Sequence, residues 1–254
     1  MKKTAIAIAS HPDDIEFMMA GTLIRLKEAG YEIHYLNIAN GSLGSAVMGR
    51  EETAATRRRE AMDAARLLGA VYHESLCDDL EVFYCSELLA GVVEVIREVE
   101  PEIVLTHGPY DYMEDHINAG RLAVSAAFCR GMRNFKCVPS AEPTNRPVAV
   151  YHSMPHSITD QLCRPVKADF YVDIAGQMEG KRRALACHRS QKEWLDVSQG
   201  LNAYLEEMDK RAVVFGRESG VFEFAEGWIR HNPLGLSPEE FDPLPAAVTG
   251  AGRS

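Results

Sequence analysis

Two clusters of imidazoles and carboxylates stand out in the 254-residue chain. One is His11-Pro12-Asp13-Asp14. The other runs from His107 through Asp111, Tyr112, Met113, Glu114 and Asp115 to His116. Two imidazoles and one carboxylate fill three positions of a zinc site, and a catalytic site leaves the fourth for water. His11 and Asp14, three apart on a tight turn, can point at one ion, and His116 can supply the third ligand. Asp13 then lies beside the metal without being needed to hold it. A carboxylate there can take the proton of a water that the metal acidifies. Iron suits the same donors, so Fe2+ stands beside Zn2+. Each aspartate also suits a helix cap, and His116 also suits a structural place at a helix start. It is the pairing of the two clusters that points to a metal.

That pairing depends on the elements around them. Residues 4–9 are a short apolar run of the kind that forms a buried strand, and residues 15–29 carry apolar side chains at helical spacing up to Gly30. Strand patterns recur at 32–38, weakly at 71–73, and at 102–106, 148–152 and 169–174. Helical patterns fill 51–68, 86–99, 115–130 and 176–211, the last with a break near Gly200. The βαβα rhythm with near-continuous apolar strands predicts an α/β, Rossmann-like, mostly parallel sheet with helices on both faces. In such a sheet ligands gather at the carboxyl ends of the strands. Both clusters follow a strand and precede a helix, which brings residues a hundred positions apart to one edge. No G-x-G-x-x-G follows the first strand, so the dinucleotide fingerprint is missing.

Ser10-His11-Pro12-Asp13-Asp14-Ile15-Glu16 resembles the signature of the LmbE-like (PIG-L) family of zinc-dependent N-deacetylases. The resemblance extends through Gly21-Thr22-Leu23, Arg57, Glu60-Ala61, Leu68-Gly69, Pro101-Glu102-Ile103-Val104, Asp115-His116, Lys181, His188-Arg189-Ser190-Gln191 and Phe224-Ala225-Glu226-Gly227. It implies hydrolysis of an N-acetyl group, typically on a compound derived from N-acetylglucosamine. By that resemblance His11, Asp14 and His116 are the zinc ligands, Asp13 is the general base, and Arg57 contacts substrate. Taken alone, Arg57 in a run of three arginines reads as an exposed helix charge. Many members have a histidine where this chain has Met113, and that histidine assists the oxyanion. A thioether cannot donate a hydrogen bond, so another group must stabilise the tetrahedral intermediate. Zinc, His107, Tyr112, His152 and His188 are candidates, and Asp111 joins Tyr112, His152 and His188 as an expected substrate contact. The alternative that Met113 favours is a protein of this fold that binds metal or sugar with little or no turnover.

Composition narrows the partners. A formal net charge of −10 argues against nucleic acid. No apolar run approaches the length of a membrane span, and the apolar start is too short for a signal peptide. Six cysteines without a C-x-x-C pair read as free, mostly buried thiols, and a cytoplasmic location is expected. Residues 1–232 are expected to form one domain, and 233–254 a surface arm or disordered tail. The resemblance and the Pro-rich segment 134–147 suggest a homo-oligomer.

Overall fold

The computed structural model describes residues 2–137, 141–191 and 204–250. Seven strands form one sheet in the order β3-β2-β1-β4-β5-β7-β6. These are β1 Thr4–Ala9, β2 Glu32–Asn37, β3 Val71–His73, β4 Ile103–His107, β5 Ala149–Ser153, β6 Phe170–Asp173 and β7 Ala225–Arg230. The first five run parallel. β7 pairs antiparallel with both β5 and β6. The α/β, mostly parallel architecture expected from the sequence is therefore present, extended by two strands of opposite direction.

The helices are α1 Asp14–Met18, α2 Ala20–Glu28, α3 Arg50–Leu68, α4 Ser86–Val99, α5 Glu114–Cys129, α6 Met178–Leu185, α7 Tyr204–Ser219 and α8 Pro243–Gly250. Alternation along β1 divides them. Ala5, Ala7 and Ala9 pack with Leu23, Leu26, Ala61, Ala65 and Leu185 of α2, α3 and α6. Ile6 and Ile8 pack with Val92, Ile96, Leu122 and Ala126 of α4 and α5. Every residue of β1 is buried, as a central parallel strand covered on both faces requires.

Three expectations change. Residues 15–29 are two helices, with a break at Met19. The Glu226 carboxylate on β7 accepts the amide hydrogens of Gly21 at 2.9 Å and Thr22 at 2.7 Å. Those amides therefore bond to a side chain in place of an earlier helical turn, and Lys181 pairs with Glu226 in the core. The segment from Pro233 ends in α8, whose Leu244 and Val248 join the core, with Tyr151 Oη donating to Asp242 at 2.5 Å. All six cysteines are free, but only Cys137 is buried and Cys163 is exposed. The helix break expected near Gly200 lies outside the described residues. Among the described residues no helix is long and apolar enough to cross a membrane.

Candidate active site and metal-ligand cluster

The chain leaves β1 at Ser10 and turns at once into α1. Asp13 occupies the turn with φ 110°, a left-handed conformation rare for a residue with a side chain. Such strain persists where surrounding structure holds it, often at functional sites. Asp13 stands at the N-cap position yet makes no capping hydrogen bond. Asp14 bends back to accept the His11 amide hydrogen at 2.7 Å. Neither carboxylate is spent on a helix end.

β4 delivers the second cluster. Gly120 lets α5 approach it closely, since a Cβ there would fall 2.5 Å from the His107 carbonyl oxygen. His116, in the first turn of α5, faces Asp14, with Nε2 3.4 Å from Oδ1. His11 Nδ1 lies 3.5 Å from Asp14 Oδ2. Ligand atoms of His11, Asp14 and His116 all lie within 4.8 Å of one another.

The outer nitrogens of both imidazoles are also held. His11 Nε2 lies 3.1 Å from Asp115 Oδ2, and His116 Nδ1 lies 3.0 Å from Asp111 Oδ1. Ionised carboxylates only accept, so each ring donates its outer N–H, which leaves the nitrogen that faces Asp14 to bind a cation once its own proton is displaced. Carboxylates behind ligand histidines fix tautomer and orientation in this way at metal sites. The donor set fits a divalent cation with three protein ligands.

The charges agree. Burial opposes protonation of His11 and His116, but the carboxylates around them outweigh it. Asp115 and Asp14 lift His11 to about 9. Asp14 and Asp111 lift His116 to about 10. Asp14 is held well below the usual carboxylate range, against burial, by His116 and His107. In the metal-free protein the cluster thus carries protons that a cation would displace. Asp13 shifts the other way. Burial raises it most, and the Arg57 charge and the Tyr204 hydroxyl only partly offset that. Tyr204 Oη donates to Asp13 Oδ2 at 2.6 Å, and Arg57 Nη2 stands 3.6 Å from the same oxygen.

A cleft of about 310 Å³ opens over this cluster. Tyr112 forms part of its wall. Arg57 is 2 % exposed, so it is no solvated helix charge. It donates to Pro12 O and Gln191 and packs on Gly41, where a Cβ would fall 2.9 Å from its Nε. Asp111 is buried behind His116 rather than in the cleft. His152 does not line the cleft. It points toward α5 and bonds the His107 carbonyl oxygen at 2.7 Å and His231 at 2.9 Å. His188 is also off the cleft, 3.2 Å from Glu16.

The lining residues that the sequence did not single out include His156, Tyr204, Asp79, Leu80 and Glu207. His156 follows β5, the neighbour of β4, so the strand-edge rule that found the other clusters also covers it. Its ring packs at a tilt against Phe17, centroids 4.3 Å apart, and burial and Arg211 keep its imidazole on the neutral side.

Comparison with known proteins fits this geometry. The PIG-L family, described as GlcNAc-PI de-N-acetylase, matches residues 6–127. Diacetylchitobiose deacetylase of Thermococcus kodakarensis is 33 % identical over 238 residues, covering 91 % of this chain and 84 % of that protein. 4-Oxalmesaconate hydratase of Pseudomonas putida is 28 % identical over 201 residues, 75 % of each chain. The structure of N,N′-diacetylchitobiose deacetylase from Pyrococcus horikoshii, in complex with an inhibitor, superposes with a TM-score of 0.75 at 26 % identity, covering 94 % of this chain and 88 % of that one. By its extended likeness to a diacetylchitobiose deacetylase and its match to the family's sequence pattern, this chain belongs to the PIG-L (LmbE-like) family.

Proposed function

We propose that the protein is a metal-dependent N-deacetylase that releases acetate from an N-acetylated small molecule, with zinc as the metal and an N-acetylglucosamine derivative as the substrate. The observation that carries this reading is Asp13, a buried carboxylate with raised proton affinity beside a His-Asp-His cluster that leaves it free of ligand duty. His11, Asp14 and His116 hold the cation, which supplies polarisation of the acyl oxygen and a lowered pKa for the attacking water.

The chain's own groups do the rest. Asp13 takes a proton as the water oxygen bonds to the carbonyl carbon. Arg57 and Tyr204 keep Asp13 aimed through its Oδ2. His156 and Tyr112, which line the cleft, take over the donor role that Met113 cannot fill, and steady the negative charge on the acyl oxygen. Asp13 then returns its proton to the leaving nitrogen as the C–N bond breaks, giving acetate and a free amine.

A second reading, addition of water to an unsaturated acid, is favoured by the hydratase relative together with Met113. One experiment separates the two. Purified protein is assayed for bound metal, for acetate release from N-acetylglucosamine and diacetylchitobiose, and for loss of ultraviolet absorbance from an unsaturated polycarboxylic acid. Acetate release with about one metal per chain is the expected outcome. Absorbance loss without acetate would replace the proposal by hydration, and bound metal with neither activity would leave a binding protein.

A further inference from the structure

The mouth of the cleft is more apolar than the chemistry beneath it requires. Leu80 lines it at 65 % exposure, and Leu43 and Tyr112 stand beside it, each about half exposed. Met113 extends the same surface inward. Exposed apolar groups gathered at a cleft mark a binding surface.

Leu80 is held there at a cost. Its φ is 61°, a left-handed conformation that glycine adopts freely and leucine does not. Its amide is pinned 2.7 Å from Asp115 Oδ2, the carboxylate that also orients His11. Leu43 is fixed in a similar way, its amide donating to Asp79 Oδ2 at 3.0 Å. Both side chains are thus presented by backbone hydrogen bonds rather than left to drift.

Charge points the same way. Among the described residues lining the cleft, Arg57 is the only lysine or arginine, and its guanidinium is taken by Pro12 O, Gln191 and Asp13. The carboxylates Asp13, Asp14, Asp79 and Glu207 share the lining. Phosphate and carboxylate recognition relies on unspent cations, and the described wall offers no lysine or arginine besides Arg57, whose two Nη groups are already engaged.

We propose that the cleft selects an uncharged N-acyl substrate with an apolar group beside the amide, and that Leu80 is the residue that reads this group. The inference rests on the deacetylase reading and names its substrate class. The apolar group belongs either to the acyl chain or to the aglycone of the amine, and the test distinguishes them.

The reference substrate is methyl N-acetyl-β-glucosaminide. One arm uses its octyl glycoside, a second uses methyl N-hexanoyl-β-glucosaminide, and a third uses N-acetylglucosamine 1-phosphate. kcat/KM is measured for each, and Kd by calorimetry on metal-loaded protein. At least one apolar arm is expected to exceed the reference by about tenfold or more, the scale of a few buried methylenes, and the phosphate to fall below it. Leu80→Gly and Leu80→Asn, both at ease at positive φ, are expected to keep or raise the thermal midpoint while bringing the apolar-to-reference ratio toward one. A phosphate arm above the reference, apolar arms equal to it, or a ratio that survives both variants would overturn the proposal. If no arm is hydrolysed, the deacetylase reading fails, and the order of Kd values still decides what the mouth selects.

Discussion

The parallel half of the sheet and its antiparallel extension do different work. The segments that follow β1 and β4 carry Asp13 and the proposed ligands, from the turn at His11 to the first turn of α5 at His116. The extension and its helices supply support from outside. Tyr204 of α7 reaches Asp13, Glu226 of β7 caps α2 with Lys181 of α6 beside it, and His188, just beyond α6, backs Glu16. The first half places reactive groups by a topological rule that any open α/β sheet obeys. The second half tunes them through buried polar contacts that no such rule dictates.

Changes in the two halves should therefore fail differently. Asp13→Asn belongs to the first. It keeps the shape but removes the proton acceptor, so acetate release should fall about a hundredfold to ten-thousandfold with the metal content unchanged, read by turnover and metal analysis of one sample. Loss of metal as well would mean that Asp13 is a ligand. Lys181→Met belongs to the second. It leaves the Glu226 carboxylate buried without its counter-charge, which should cost about 3–5 kcal/mol of stability, measured by urea unfolding, while folded molecules keep their metal. A variant of normal stability that cannot hold metal would erase the distinction.

The smallest effect concerns pH. In the metal-free fold His11 and His116 titrate at about 9 and about 10, above the ordinary value of about 6.5 for an unfolded chain. Their protonated forms stabilise that fold fully below pH about 6.5, and the contribution fades as pH climbs through the folded values. Bound metal needs both rings neutral and displaces those protons, so affinity rises with pH over the same range. Calorimetric melting with and without chelator at pH about 6.5 and about 9.5 should show a gap that widens at the higher pH. A gap independent of pH would mean that these histidines are not the ligands.

The elements of the first half were legible because apolar runs and helical spacing are local properties. The pairing of the two clusters was legible because sheet topology needs only element order. What stayed hidden depended on distant partners. The break at Met19 comes from a carboxylate on β7. The burial of Arg57 depends on the turn at Gly41, whereas its neighbours Arg58 and Arg59 are solvent-exposed. β7 itself reads poorly because Glu226 and Gly227 interrupt its apolar pattern. Glu226 is explained by Lys181 and the Gly21 and Thr22 amides, and Gly227 by Met154, whose Cγ a Cβ there would approach to 2.8 Å. His152 and His156 sit four apart, yet one points into the layer under α5 and the other lines the cleft. Choosing between them needs the strand's end and facing, which composition does not carry.

The carboxylate that closes the N-terminus of α2 lies 205 residues downstream of the amide it accepts. A ribosome delivers the chain from its amino end, so the helix behind His11 and Asp14 is made long before its cap exists. Until β7 emerges, Gly21 and Thr22 must be satisfied by water. The earliest residues of the site therefore reach their final setting among the last, and if His11, Asp14 and His116 hold a cation, its capture during biosynthesis waits on the completion of the sheet.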